Sequence, residues 1–275
     1  MKKIRNYIIE IIYIFWLKLL KKYPWSKEMN LKDFFSQKIN FNYISNKLGF
    51  IFKFKRNIGT FHIDGTLVNS ELCQLGKNHS TDKSPFNESL HRHPYTPIYS
   101  LLFSSLKNKK INFAEIGILN NSSIRMWRDF FPYAYIFGFD YDDSLILNAK
   151  KDKLKKVFYK KINVKKSNSI TKAFKSCKKK FDVIIDDSSH NFYDQIRIIK
   201  ETTKYLKPGG VLVIEDIPKE NQLYSEENFN KHLKKQFQYF DFFNFIDCDH
   251  INKFSKGWNN DKLLIMVKNN QKVKK

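Results

Sequence analysis

The chain has few cysteines, few arginines and no long uninterrupted apolar segment. Its three cysteines, Cys73, Cys177 and Cys248, lie far apart in the sequence. They form neither a metal-ligand spacing nor the framework of a disulfide-rich domain. A reducing compartment is therefore expected, which favours a cytoplasmic location.

Arginine is scarce although the chain is strongly basic. The formal net charge is +23, yet only 6 of the 50 basic residues are arginine. Nucleic-acid sites favour the planar guanidinium, which donates two hydrogen bonds at once and stacks on bases. A solvated lysine surface, produced by AT-rich codon usage, is the favoured interpretation, and no nucleic-acid partner is expected. Attraction to an anionic membrane or an anionic substrate is the alternative.

The apolar stretch Tyr7–Leu20 is interrupted by Glu10 and Lys18. It is shorter than the roughly 20 residues that cross a bilayer. No small-residue cleavage site follows it, so a secretory signal is not expected. Residues 1–25 are predicted to form an amphipathic helix. The helix either lies at a membrane surface as a peripheral contact or packs on its own domain or on a partner copy in a homo-oligomer.

Residues 26–97 are predicted to form an extension that ends in a segment covering the site. Phe50–Phe54 is a candidate strand, and Asp64-Gly65 is a candidate turn. Residues 76–99 are rich in His, Tyr, Thr and Asp and are punctuated by proline. That composition fits a functional loop over a site, and an ordinary surface loop is the alternative.

Two apolar runs end abruptly in acidic clusters. The first, from Phe181 to Ile185, is followed by Asp186-Asp187-Ser188-Ser189-His190, and the second, Val211–Ile214, by Glu215-Asp216. The segment Tyr193–Leu206 between them has helical spacing, so the three elements form a right-handed βαβ unit with parallel strands. Both clusters then lie at one carboxyl-terminal edge, about 5 Å apart if the strands are neighbours. Open α/β sheets bind ligands at that edge.

The remaining elements extend this unit into an α/β fold. Five parallel strands closed by an antiparallel hairpin make a Rossmann-like sheet, assigned to residues 98–270 and followed by a basic tail, 271–275. The predicted further strands are 111–117, 135–140, 158–164, 243–247 and 262–267, and the predicted helices are 98–106, 124–131 with an N-cap at Ser122-Ser123, 170–177 and one around 229–237.

The turn after the first strand has one glycine, Gly117, where a dinucleotide site would need three. Glu115 precedes that glycine and would repel a pyrophosphate, whereas it suits a cationic ligand that carries an amino acid. Asp140 ends the second strand and can accept both hydroxyls of a ribose. The pair indicates S-adenosylmethionine rather than NAD, and a structural role for Glu115 is the alternative.

Several motifs occur in an order that resembles a known family. They are Glu115-Ile116-Gly117, Met126–Pro132, Phe137–Asp140, Asp186–His190 and Pro208–Asp216. Upstream, Ser80–Lys83 and His93–Thr96 resemble the Gly-Thr-Asp-Lys and His-x-Tyr-Thr segments of the same group. Together they are similar to class I methyltransferases of the macrocin-type sugar O-methyltransferase group, related to cephalosporin-hydroxylase-like proteins.

The resemblance implies a magnesium ion held by Asp187, Glu215 and Asp216, with His190 as the base. Hard oxygen ligands suit Mg²⁺. The ion would lower the pKa of a coordinated sugar hydroxyl, and the imidazole would take its proton. Asp187 and His190 are therefore the predicted catalytic residues.

The resemblance also implies an S-adenosylmethionine site, whose predicted residues are Glu115, Gly117, Asn121, Ser122, Asp140, Asn163 and Asp186. Four positions depart from the family pattern. Asn120-Asn121 and Ser188 replace glycines, and Asn163 replaces an acid that meets the adenine. These changes bear on catalysis more than on the fold.

The leading hypothesis is a magnesium-assisted, S-adenosylmethionine-dependent O-methyltransferase that acts on a sugar hydroxyl, in surface glycan or natural-product assembly. One alternative is a related enzyme with different chemistry at the same metal, such as hydroxylation. The other is a degenerate methyltransferase fold that serves as a binding subunit without catalysis.

Overall fold

A single eight-stranded sheet organises the part of the chain described by this computed structural model, residues 59–88, 91–255 and 257–270. The strands are β1 (Thr60–Asp64), β2 (Asn112–Ile116), β3 (Tyr135–Asp140), β4 (Val157–Lys161), β5 (Phe181–Asp186), β6 (Leu206–Ile214), β7 (Phe240–Asp249) and β8 (Lys262–Lys268). Their order is β1-β7-β8-β6-β5-β2-β3-β4. β8 is antiparallel to β6 and β7, and the other neighbouring pairs are parallel. The predicted Rossmann-like sheet with an antiparallel last strand is confirmed.

Helices cover both faces of the sheet. They are α1 (Glu71–Asn78), α2 (Tyr95–Phe103), α3 (Ser122–Phe130), α4 (Asp143–Lys151), α5 (Ser167–Ser176), α6 (Phe192–Thr202) and α7 (Glu226–Leu233). Buried side chains from α1 to α4 share one apolar core with the sheet, and those from α5 to α7 share the other. Within β5, Ile184 packs into the second core while Val183 and Ile185 pack into the first. Burial on both faces explains why this strand is a continuous apolar run in the sequence.

The direction of the chain across the sheet reverses between β2 and β5. β3 and β4 lie on one side of β2, and the chain then returns to place β5 on the other side. Backbone hydrogen bonds align the strand ends there: the N–H of Asp187 donates to the carbonyl of Ile116 at 2.8 Å, and that of Glu215 to Asp186 at 2.9 Å. This reversal creates a crevice at the carboxyl ends of the strands, where open α/β sheets take their ligands.

Three elements were not expected from the sequence: β1, α1 and α4. β1 is an edge strand that pairs in parallel with β7, so residues from 59 onward contribute to the same sheet as the predicted domain 98–270. Its side chains are mostly exposed, which explains why no apolar pattern marked it. The candidate strand Phe50–Phe54, the predicted helix in residues 1–25 and the basic tail lie outside the described residues.

The predicted N-cap of α3 is wrong. Ser122 and Ser123 both lie inside the helix, and the cap residue is Asn121 in a left-handed conformation with φ of 66°. The N–H of Ser122 is satisfied by the side chain of Asn120 at 3.1 Å. Asparagine adopts this conformation more readily than most residues do, so the paired asparagines replace the serine cap.

The helix expected over Tyr193–Leu206 is confirmed as α6 followed by a 3-10 turn, Thr203–Tyr205. α6 begins at Phe192 and ends at Thr202, and Leu206 already pairs with Phe181 as the first residue of β6. The predicted turn Pro208–Gly210 lies within β6, where the register with β5 shifts. Gly209, with φ of 73°, permits this irregularity.

In the described part of the chain, no helix is both long enough and apolar enough to cross a bilayer. The proposed membrane or oligomer contacts of residues 1–25 stay predictions.

Candidate active site

A cavity of about 1000 Å³ opens at the carboxyl ends of the central strands. Six segments line it: residues 80–82 with His91, the turn after β2 (called the first turn below), the end of β3, the end of β4, residues 187–190, and Asp216. Of the predicted site residues, Gly117, Ser122, Asp140, Asn163, Asp187, His190 and Asp216 line this cavity. The topology thus gathers most of the predicted positions in one cleft.

The single glycine of the first turn is required by the backbone of β5. Gly117 has φ of 91°, and a Cβ there would lie 1.9 Å from the carbonyl oxygen of Asp187. Any side chain would therefore displace the segment that carries Asp187 and His190. The sequence assigned this glycine to the cofactor site, and the structure shows that it also permits close approach of two chain segments.

Asp140 occupies the position predicted for ribose recognition. Its carboxylate accepts hydrogen bonds from the backbone N–H of Ile118 at 3.0 Å and of Asp142 at 2.9 Å. These bonds fix the carboxylate at the rim of the cavity and link the first and second turns. Each carboxylate oxygen retains a lone pair for a further donor, so the group can still accept the hydroxyls of a ribose.

Asn163 lies just after β4 and also lines the cavity. Its side-chain oxygen accepts the N–H of Lys165 at 3.0 Å, and its own N–H donates to the hydroxyl of Ser169 at 2.8 Å. Asn163 therefore orders the loop before α5, and its side-chain amide is a donor that an acid would not supply.

Three predicted cofactor residues lie outside the lining of the cavity. Glu115 is fully buried and accepts a hydrogen bond from Ser123 at 2.9 Å. Asp186 is buried and accepts one from Ser188 at 2.6 Å. Burial raises the pKa of both carboxyls to about 7, although these hydrogen bonds oppose it.

Asn121, the third of these residues, is held by protein partners on both ends of its amide. It donates to Asp152 at 2.7 Å and accepts from the hydroxyl of Tyr159 at 3.0 Å. Its side chain thus stabilises the first turn and the start of α3.

His190 and two carboxylates converge on the cavity. The Nε2 atom of His190 lies 3.9 Å from Asp187 and 3.6 Å from Asp216. His190 has φ of 51°, and its carbonyl accepts the hydroxyl of Tyr224 at 2.7 Å. A turn fixed by Tyr224 therefore aims the imidazole at the two acids.

The third predicted metal ligand, Glu215, is buried behind the other two. Side-chain exposure falls from 24% at Asp187 through 11% at Asp216 to 1% at Glu215. One Glu215 oxygen accepts the hydroxyl of Tyr99, and the other accepts the ammonium of Lys83. Glu215 is thus less accessible to an ion in the cavity than Asp187 and Asp216 are.

Lys83 is the main functional residue that sequence reasoning missed. It is 1% exposed, contacts the carboxylates of Asp187 and Glu215, and lies 3.4 Å from Glu115. Burial acts to lower the pKa of Lys83, but the three carboxylates outweigh it and hold that pKa well above its usual value. The only sequence signal was its place in the Ser80–Lys83 motif.

Asp216 is anchored by residues from the second upstream motif. The hydroxyl of Tyr95 donates to it at 2.6 Å, and the ring of His93 lies 3.9 Å away. His93 also contacts Asp261 at 2.8 Å. Burial acts to lower the pKa of His93, but Asp216 and Asp261 raise it to about 9. The predicted covering segment therefore contributes side chains directly to the site.

The carboxylates of the site respond differently to their surroundings. Burial raises the pKa of Asp187 and raises that of Glu215 well above its usual value, against the opposing effect of Lys83. Burial acts in the same direction on Asp216, but His93 and His190 outweigh it and lower its pKa. Asp216 is therefore the acid that its protein surroundings most strongly keep ionised.

The donor set fits a divalent cation. Asp187, His190 and Asp216 each offer one ligand atom, and these atoms all lie within 4.8 Å of one another. Carboxylate oxygens are the donors that Mg²⁺ prefers, and the ion keeps several waters when few protein ligands reach it. Asp187 and Asp216 could hold the ion, with Glu215 as the third acid behind them.

Comparison with known proteins identifies the family. The model of a family described as "Methyltransferase domain" matches residues 121–271, more than half of the chain. The chain belongs to this methyltransferase-domain family. The match covers the end of the first turn and the strands that carry Asp140, Asp187 and Asp216.

Curated relatives of this methyltransferase-domain chain are named as O-methyltransferases. Mycinamicin VI 2''-O-methyltransferase of Micromonospora griseorubida is 26% identical over 154 residues, which is 54% of this chain and 36% of that protein. Demethylmacrocin O-methyltransferase of Streptomyces fradiae is 28% identical over 133 residues, or 46% and 32%. The chain spans only about a third of the length of these relatives.

A solved structure shares the fold of this methyltransferase-domain chain. It is the MycE methyltransferase from the mycinamycin biosynthetic pathway, in complex with Mg and SAH. The TM-score is 0.55 at 19% identity, over 74% of this chain and 54% of that one. The likeness confirms the predicted class of fold.

Proposed function

We propose that this chain is an S-adenosylmethionine-dependent, magnesium-assisted O-methyltransferase that acts on a sugar hydroxyl. One observation carries the proposal: Asp187, Asp216 and His190 converge in the same cavity that Gly117 and Asp140 line. A cofactor half and an acid–imidazole half thus share one cleft. Membership of the methyltransferase-domain family and the names of the curated relatives support this reading.

The cofactor half binds the donor through Asp140, Asn163 and Ser122. Asp140 accepts hydrogen bonds from the ribose hydroxyls, and Asn163 contacts the adenine. Ser122 places the start of α3 at the cavity. Glu115, Asn121 and Asp186 serve the cofactor indirectly. The bonds of Glu115 to Ser123 and of Asn121 to Asp152 hold the turn after β2 in place, and the bond of Asp186 to Ser188 holds the turn after β5.

The acceptor half is formed by Asp187, Glu215, Asp216 and His190. Asp187 and Asp216, with Glu215 behind them, would hold Mg²⁺, and the bound ion would lower the pKa of the acceptor hydroxyl. His190 accepts the hydroxyl proton at Nε2, and the neighbouring acids stabilise the imidazolium that results. The new bond joins the acceptor oxygen to the methyl carbon, the bond from that carbon to sulfur breaks, and the sulfonium becomes a neutral thioether. Alignment supplies most of the remaining rate enhancement.

The acceptor class rests on the curated relatives. Both are named for O-methylation, one at a 2'' position of mycinamicin VI and the other of demethylmacrocin. MycE, which shares the fold, has also been solved in complex with Mg, SAH and mycinamycin VI. A sugar or glycoside acceptor, in natural-product or surface glycan assembly, is therefore proposed here.

A non-catalytic binding subunit is the second candidate, and Lys83 is the observation that favours it. An ammonium group already contacts Asp187 and Glu215, so the acids are partly neutralised without a metal ion. Asn120 also lines the cavity, at a position where the family resemblance expects glycine.

Calorimetry followed by a transfer assay separates the two candidates. S-adenosylmethionine is titrated into the protein with and without Mg²⁺, and labelled methyl transfer is then measured over a panel of nucleotide sugars and glycans. The proposal expects cofactor binding and Mg²⁺-dependent transfer to at least one sugar. Failure to bind S-adenosylmethionine would favour the binding subunit, and metal-independent transfer would remove the proposed mechanism.

A further inference from the structure

Lys83 contacts three acids that come from three different strands. Its ammonium lies 3.4 Å from Glu115 on β2 and touches Asp187 after β5 and Glu215 after β6. The side chain is 1% exposed. This is a fixed interior cation rather than a surface lysine that reaches in.

The backbone around Lys83 explains how the ammonium is fixed. Its carbonyl accepts the N–H groups of Tyr95 at 3.1 Å and of Thr96 at 3.0 Å, at the start of α2. The preceding residue, Asp82, accepts the N–H of His93 at 2.6 Å. The segment that delivers Lys83 is therefore tied to the segment that delivers Tyr95 to Asp216.

The positive charge of Lys83 affects both the repulsion among the acids and the binding of a divalent ion to them. Glu115, Asp187 and Glu215 are buried or half-buried at the strand ends and would repel one another without a cation. A divalent ion that binds Asp187 and Glu215 would meet the ammonium on the same carboxylates. Two cations that share ligands in a medium of low polarity oppose each other strongly.

We propose that Lys83 is a built-in counter-ion that competes with the divalent cation for the carboxylates of Asp187 and Glu215. The inference rests on the proposed function, because it assigns Lys83 a role at the same metal site. In the metal-free protein the ammonium holds the acids together. The ammonium lowers the affinity of these carboxylates for the metal ion. Lys83 is therefore a positioning residue that sets how readily the ion is bound and released.

The test compares Lys83→Met with Lys207→Met. Methionine has nearly the length of lysine but no charge. Lys207 lies near the start of β6 and forms an ion pair with Asp182 of β5 at 2.7 Å. Its substitution therefore controls for the loss of a lysine ion pair away from the acids of the site. Mg²⁺ affinity is measured by calorimetry, and thermal unfolding is measured with and without Mg²⁺.

Lys83→Met is expected to bind Mg²⁺ about tenfold more tightly than the wild type or better. It is also expected to be less stable without metal and to gain more stability from Mg²⁺, while Lys207→Met keeps the wild-type affinity. A purely structural role would weaken metal binding instead. Unchanged or weaker Mg²⁺ binding by folded Lys83→Met overturns the inference.

Two outcomes separate this inference from the proposed function. If the wild type binds no Mg²⁺ but Lys83→Met does, the counter-ion role stands and the metal-dependent function falls. If the wild type binds and Lys83→Met binds equally, the function stands and the inference falls; binding by neither overturns both. If Lys83→Met does not fold, the double variant Lys83→Met with Glu215→Gln, which restores charge balance, is expected to fold, and its failure to do so overturns the inference.

Discussion

The hydroxyl of Tyr95 donates a 2.6 Å hydrogen bond to Oδ1 of Asp216. Tyr95 begins α2, whereas Asp216 follows β6, so this contact ties the upstream segment to the acidic edge of the sheet. Both side chains are buried. The orientation of a proposed magnesium ligand therefore depends on a residue outside the strands that carry the acids.

Tyr95→Phe tests that dependence. Removing the hydroxyl leaves a buried acceptor without its donor, which is expected to lower the free energy of unfolding by about 1 to 3 kcal/mol. Mg²⁺ affinity is expected to fall about 10-fold or more, because partners behind the ligands orient them. Denaturant unfolding and Mg²⁺ calorimetry measure the two effects. Tyr205→Phe, which removes a 3.1 Å bond to Thr171, should change stability alone; equal Mg²⁺ affinity in all three proteins would refute the role of Tyr95.

Gly117→Ala tests the contact between the first turn and the end of β5. The new Cβ would lie 1.9 Å from the carbonyl oxygen of Asp187, whereas a Cβ at Gly209 would meet nothing within 4 Å. Both glycines have positive φ, so both variants lose about 1 to 2 kcal/mol from left-handed strain. Gly117→Ala is expected to lose about 1 to 3 kcal/mol more through the clash. Similar losses in chemical denaturation would show that the two segments can move apart at little cost.

Asp140→Ala tests the cofactor half. The carboxylate fixes the first turn through Ile118 and is proposed to bind the ribose. Loss of charge-assisted hydrogen bonds worth about 1.5 to 3 kcal/mol is expected to weaken S-adenosylmethionine binding by about 10- to 100-fold. Asp142→Ala is the control, since Asp142 caps α4 through Ser144 at 2.7 Å and does not line the cavity. Calorimetry that found the same affinity for both variants would exclude the ribose contact.

His190→Asn tests the base. Asparagine tolerates the positive φ of this position well, so the backbone of the turn is retained while the imidazole is lost. Transfer is expected to slow by about 10²- to 10⁴-fold, the usual contribution of a positioned base, with S-adenosylmethionine binding retained. His79→Asn removes an imidazole that pairs with Asp129 at 2.7 Å outside the cavity and should keep full turnover. A His190→Asn rate within a few-fold of the wild type would assign proton removal to another group.

The sequence predicted the central sheet well because its signals are local. The apolar runs that end at Asp186 and Ile214 are buried on both faces, and the intervening helix requires them to be parallel. The meeting of Asp187 with Asp216 near His190 follows from that connection alone. α4 was missed because its apolar pattern is weak, with Leu147 exposed on the same helix that buries Ile146.

The contributions of Lys83, Tyr95 and Tyr99 could not be derived from periodicity. Their contacts to Asp187, Asp216 and Glu215 join residues from distant parts of the chain. No local pattern specifies which acid a lysine or tyrosine reaches. The predicted N-cap of α3 was wrong for a different reason. The cap depends on the left-handed backbone conformation of Asn121, which residue preferences favour but do not determine.

The central claim is that acids from two parallel strands bind one divalent cation beside His190. Mg²⁺ calorimetry on Asp187→Asn, with Asp182→Asn in the preceding strand β5 as the matched control, tests it most directly. The account predicts that the wild type and Asp182→Asn bind one Mg²⁺ and that Asp187→Asn loses about 100-fold or more in affinity while it still binds S-adenosylmethionine. Equal Mg²⁺ binding by Asp187→Asn and the wild type would contradict the account.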